Sequence, residues 1–166
     1  MKHFNYSQFP SELIAADGST VRLCPLNRTK GIPIYCSQSG LFFSYATGVL
    51  RKLNPYANRH FKSKQNVHSD YPKLQHYLGN ARCHMLIALT WLGPKPGKNY
   101  VVDHINGNIF DWSIDNLQWI TPTENRKRAK LLRILRTFGR DPRKMSRDEL
   151  LAIFNKYYFV NPLNID

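Results

Sequence analysis

Acidic residues are scarce in this chain: 11 Asp and Glu stand against 24 Lys and Arg in 166 residues, a formal charge of +13 with the six histidines neutral. Excess charge of this size repels itself and is tolerable where a polyanion neutralises it. Nucleic acid is therefore the leading partner class, with plain solubility or a ribosome-like structural role as the bland alternative. Long apolar runs are missing too. The strongest, Met85 to Leu92, falls far short of the about 20 residues that cross a bilayer. The start, Met1-Lys2-His3-Phe4-Asn5, has no apolar signal region. These absences predict a soluble cytoplasmic protein with no membrane partner. Cysteine is rare: Cys24, Cys36 and Cys83 form no C-x-x-C pair, so neither a disulfide framework nor a thiolate zinc knuckle is expected. No internal repeat or low-complexity tract is present.

What remains is enough to fold. At 42% hydrophobic and 13% aromatic the chain is too apolar for a disordered basic tail, and its length suits one domain or a small catalytic module with lobes leaning on it. Residues 1 to 30 carry turn signals around short apolar pieces and read as an irregular wrap or small hairpin. Ile32 to Cys36 and Leu41 to Tyr45, around the polar turn Ser37-Gln38-Ser39-Gly40, read as a hairpin. The basic stretch from Arg51 to Lys64 holds Arg51, Lys52, Arg59, Lys62 and Lys64. It is either an extended segment lying along a phosphate backbone or an ordinary exposed loop. Leu74 to Leu78 reads as a strand and His84 to Trp91 as a short helix stopped by Gly93-Pro94.

Val101-Val102 and Leu117 to Ile120 are short and β-prone, with a long polar excursion between them. They predict a two-stranded antiparallel ribbon closed by a wide loop. Thr121-Pro122-Thr123-Glu124 then combines an N-cap, a proline at the first helical position and a capping-box glutamate. The helix it opens runs to about Phe138 before Gly139. On a helical wheel Leu131, Ile134, Leu135 and Phe138 share one face, and Arg126, Lys130, Arg133 and Arg136 the opposite one. Ten basic residues and one acid lie between Arg126 and Arg147, which favours a grip on phosphates by Arg126, Arg128, Lys130, Arg133 and Arg136. A second capping box, Ser146 to Glu149, predicts a final helix that packs back on the core.

Strand, polar loop, strand and capped basic helix carry suggestive corner residues. Asp103-His104 ends the first strand, Asn116 follows His104 by twelve residues, and Asn125 follows it by twenty-one. The run Val101-Val102-Asp103-His104-Ile105-Asn106-Gly107-Asn108, continued by Asp115-Asn116-Leu117-Gln118-Trp119, Thr121 and Asn125, resembles the HNH endonuclease family of the phage and intron-homing type. The likeness covers residues 84 to 128, and His84-Met85-Leu86-Ile87-Ala88 resembles the helix that precedes the motif. The last signature position holds Asn125 rather than histidine, as in the homing members.

The resemblance implies an α+β fold: a ββα-metal (HNH) nuclease core over 71–138, a β-rich N-terminal arm over 1–70 that can contact DNA, and a helical C-terminal extension over 139–166. It also implies Mg-dependent hydrolysis of double-stranded DNA by a monomer or homodimer, with strand nicking as the expected outcome, in a bacterial or phage-infected cell. The chemistry agrees with it. A neutral imidazole, with an ordinary pKa of about 6.5, lets His104 take a proton from water. Asp103 and Asn125 can offer oxygens to Mg, for which Mn can substitute. Asn116 completes the catalytic set by pinning the loop and fixing the geometry of His104. His84 and Trp119 are read as structural residues near the site. The rival reading is a catalytically inactive nucleic-acid-binding protein that kept the ribbon and helix.

Overall fold

Short β-prone segments separated by tight turns dominate the first half of the chain. In the computed structural model, which describes residues 6–25, 32–46, 48–56, 71–74 and 81–159, they pair into one antiparallel sheet. Its strands, in spatial and sequence order, are β1 (Glu12–Ile14), β2 (Thr20–Leu23), β3 (Ile34–Ser37), β4 (Phe42–Ala46) and β5 (Val49–Leu53). The β1–β2 turn is closed by Asp17, whose carboxylate accepts from the backbone N–H of Ser19 at 2.9 Å. Val21, Tyr35 and Phe43 alternate inward and pack with Ala15 as a small core. The Tyr35 hydroxyl donates to the Pro10 carbonyl at 2.6 Å.

The first half thus contains one strand that the composition of Arg51 to Lys64 hid. β5 pairs with β4 from Phe42↔Leu53 to Ala46↔Val49, so Arg51 and Lys52 lie on an edge strand with exposed side chains. A second small ribbon, β6 (Lys73–Leu74) with β7 (Ala81–Arg82), leads into α1 (Cys83–Ile87) and a π-helical turn over Ala88–Leu92. The expected strand over Leu74 to Leu78 is seen at Leu74, and the rest of it lies outside the described residues.

The molecule has two compact units: Met1–Pro94 with Ile109–Ile114, and Lys95–Asn108 with Asp115–Asp166. The excursion 109–114 therefore belongs with the sheet. Trp112 Nε1 donates to the Gly40 carbonyl at 2.9 Å, and the Ile114 N–H donates to the Gln38 carbonyl at 2.9 Å. Gly40 has φ +90°, and a Cβ there would lie 2.7 Å from the Trp112 ring, so both turn geometry and close approach require glycine.

The second unit is the ββα arrangement. β8 (Val101–His104) pairs antiparallel with β9 (Leu117–Ile120), placing Asp103 opposite Gln118 and His104 opposite Leu117. α2 (Pro122–Thr137) starts as its sequence dictates, with the reciprocal capping box of Thr121 and Glu124 both formed and Pro122 in the first turn. α3 (Arg147–Phe159) follows, with the Glu149 N–H donating to the Ser146 hydroxyl at 3.1 Å. Leu131, Leu132 and Leu135 of α2 bury against Ile105 and against Leu150 and Phe154 of α3. One expectation fails here: Phe138 is 78% exposed. It is the C-cap, with φ −88° and ψ 19°, where the helix has unwound and the wheel no longer sets direction. The buried stripe is carried instead by Leu132 and, one turn earlier, by Arg128.

Candidate active site

Asp103 and His104 are neighbours on a strand, and alternation would send them to opposite faces. Both are buried, at 7% and 5% exposure, because β8 ends here and the chain turns at once. The turn is built by three bonds: the Gly107 N–H donates to the His104 carbonyl at 2.8 Å, the Ile105 N–H to the Asn116 carbonyl at 2.9 Å, and the Asn106 N–H to the Asn116 side-chain oxygen at 2.9 Å. Asn116, itself buried, thus ties the start of the loop back to the start of β9. Gly107 sits at φ +68°, and a methyl there would stand 3.0 Å from Leu132 and from the Arg136 guanidinium. The left-handed turn after His104 requires that residue type.

Asp103 is held from two sides. Gln118, its cross-strand partner, donates from Nε2 to Oδ2 at 2.9 Å, and Arg128 brings Nε to 3.0 Å from the same oxygen. Both side chains of the ion pair are 8% exposed. Burial pushes the Asp103 carboxyl up from its ordinary pKa, against the downward pull of Gln118 and Arg128. The Arg128 guanidinium also lies over the Phe154 ring, 3.7 Å from its centroid. His104 Nε2 is fully buried.

Asn125 stands in the first turn of α2, half-buried, with its N–H bonded to the Thr121 carbonyl. Residues three apart on a helix are surface neighbours, so Asn125 lies on the turn adjoining the residue that meets Asp103. Asp103 carries a carboxylate and Asn125 an amide oxygen, hard donor types with a single negative charge between them, which suit a divalent ion that keeps most of its own waters. Among the described residues no cluster of three or more His, Cys, Asp or Glu gathers as a metal cage.

The basic residues divide. Arg126, Arg133 and Arg136 are exposed and Lys130 is half-buried, and the Arg136 guanidinium reaches toward the loop at Gly107. Arg128 departs from the expected phosphate grip. It is 7% exposed and committed to Asp103 and Phe154, which leaves no solvent-facing charge for DNA. A signal for this was present, since Arg128 continues the stripe of Leu131, Leu132 and Leu135 by three, four and seven residues. Gln118 was legible in the same way, as the residue opposite Asp103 once the ribbon's register is known. Trp119 is half-buried on β9 opposite Val102. His84 belongs to the sheet unit, buried at 5% with its ring edge-on to Tyr71 at 4.7 Å. Arg59, Lys62 and Lys64 lie outside the described residues.

Comparison with known proteins places the same segment. Residues 81–127 match the HNH endonuclease family. A stretch of 49 residues is 43% identical to an uncharacterized HNH endonuclease of Acanthamoeba polyphaga mimivirus, covering 29% of this chain and 12% of that protein. The chain thus spans about an eighth of the length of that relative. Among solved structures, one describing DNA binding and cleavage by the HNH homing endonuclease I-HmuI is similar at a TM-score of 0.45 and 22% identity. That likeness covers 65% of this chain and 64% of that one.

Proposed function

We propose, from the HNH endonuclease affiliation of residues 81–127, that this chain is a Mg-dependent endonuclease that hydrolyses phosphodiester bonds of double-stranded DNA, one strand per encounter, in the manner of the homing enzymes. The observation that supports it best is the end of β8. There Asp103 and His104 are buried together at the Asn116-pinned turn, and Arg128, three residues after Asn125 on α2, meets Asp103.

In this reading His104 takes the proton of the attacking water on its imidazole. The loop bonds of Asn116 and Gly107 fix the backbone that carries the ring, which lessens the reorganisation left to the moment of reaction. Asp103 and Asn125 would hold the divalent ion, which when bound supplies positive charge to the phosphoryl and departing oxygens. Gln118 orients Asp103 from across the ribbon. Arg126, Lys130, Arg133 and Arg136, with Arg51 and Lys52 on β5, bind backbone phosphates and set position rather than sequence.

Supercoiled plasmid with Mg, with and without chelator, tests this directly. Nicked circles should accumulate only with the metal, and linear DNA should appear late. His104→Ala should keep DNA affinity and lower the rate by about 10² to 10⁴, and a variant cutting at more than half the wild-type rate would remove His104 from the chemistry. Arg133→Ala with Arg136→Ala should weaken binding to every duplex alike and flatten the slope of log K against log salt by about 1 to 2 units.

One observation favours a second reading. A buried arginine on the proposed metal ligand is also what a nucleic-acid-binding protein that lost catalysis would carry. An absence of nicking in both Mg and Mn, with duplex binding intact, would select it.

A further inference from the structure

We infer that Arg128 is a positioning residue of the catalytic centre: seated between the Phe154 ring and the Asp103 carboxylate, it holds that carboxylate by one oxygen and keeps the free protein's affinity for a divalent cation low. The inference rests on the reading of Asp103 as a metal ligand.

The geometry supports it from three directions. Arg128 Nε and Gln118 Nε2 both address Oδ2 of Asp103, at 3.0 and 2.9 Å, so Oδ1 is the oxygen assigned to the cation. The guanidinium is fixed from behind by Phe154, which is 1% exposed and locked in the core with Leu150 and Leu131. Its positive charge is buried with the carboxylate, where solvent screens it little. Arg128 and Phe154 both lie beyond the segment matched to the HNH family, and through them the C-terminal helix bears on Asp103.

The consequence is electrostatic. A divalent ion approaching Asp103 meets a fixed like charge a few ångströms away and is held weakly. A DNA phosphate arriving with the ion brings the negative charge that offsets the repulsion. Metal and DNA then bind with positive coupling, and each must raise the affinity of the other by the same factor. A hydrolytic site armed in this way holds little metal until its substrate is in place.

The test is a Mn titration of the DNA-free full chain, followed by calorimetry and by water-proton relaxation, with folding checked by circular dichroism. Arg128→Met keeps the reach over Phe154 and removes the charge, and should tighten Mn binding by about tenfold or more, while Arg128→Lys, which restores the charge, should stay within about twofold of wild type. A merely structural arginine would not sort its variants by charge. Unchanged or weaker Mn binding in folded Arg128→Met overturns the inference. Should that variant fail to fold, Arg128→Gln, which keeps a donor for the carboxylate, is held to the same outcomes. Asp103→Asn separates the two readings. If it abolishes Mn binding, the ligand assignment stands whatever Arg128 does; if it binds Mn like wild type, the ligand assignment itself has failed.

Discussion

Two aspartate–arginine pairs lie in the same unit and behave in opposite ways. Asp141 and Arg143 meet at 2.9 Å on the surface, two residues apart, at the start of a short 3-10 turn over Pro142–Lys144. There the arginine and the backbone N–H it brings hold the Asp141 pKa down to about 2. Asp103 and Arg128 meet at nearly the same distance, 3.0 Å, across two elements and in the interior, and burial holds the Asp103 pKa up. Distance between the charges does not separate them. Solvation does, because the interior pair has given up its water and the surface pair has not. An ion pair that is costly to bury adds little net stability.

The strongest way to break that contrast is to remove one interior partner. Arg128→Ala leaves a carboxylate buried without its counter-charge and should cost about 3 to 5 kcal/mol in denaturant unfolding. Combining it with Asp103→Asn should recover part of that loss, since the uncompensated charge goes too. A cost no greater than that of a surface substitution would put the interior pair in the same class as Asp141–Arg143. Asn116→Ala sharpens the picture by loosening the loop while leaving the pair in place. Its side-chain oxygen accepts from the Asn106 N–H in a partly buried hydrogen bond, so stability should fall by about 1 to 3 kcal/mol and cleavage should fall with it. Unchanged melting together with unchanged activity would refute the pinning role.

The smallest effect belongs to the surface pair. A carboxyl whose folded pKa is depressed contributes stability that is full above its ordinary value of 3.8 and is lost as pH falls through about 2. The difference in melting temperature between wild type and Asp141→Asn should therefore be small at neutral pH, shrink between those two values, and be reduced further by salt. A large difference that persists at pH 2 would mean that Asp141 acts through packing rather than charge.

Legibility followed the range of the interactions involved. The capping box at Thr121 and Glu124, the ribbon strands Val101–His104 and Leu117–Ile120, and the Asn116 tether all depend on residues close in sequence or on one hairpin register. They could be read in advance. β5 was masked by its own charge, since Arg51 and Lys52 suit an edge strand as well as a loop and only the pairing with β4 distinguishes the two. Phe138 was misplaced because the wheel assumes helical geometry that the C-cap no longer has. The segment from Arg59 to Lys64 lies outside the described residues and stays at the level of composition. No helix among the described residues is long and apolar enough to cross a membrane.

By itself the sequence determined the local frame of this protein: a strand that must end at His104, a helix that must begin at Pro122, and a basic outer face on that helix. Each follows from backbone sterics, capping or periodicity, which act over a few residues. Tertiary structure alone decided the fate of Arg128. A wheel can place it on the apolar stripe but cannot say what lies opposite, and the answer came from three separate elements: a carboxylate from β8, an amide from β9 and an aromatic ring from α3. The charge of a side chain is written in the sequence; whether water or a single aspartate answers it depends on what the fold buries beside it.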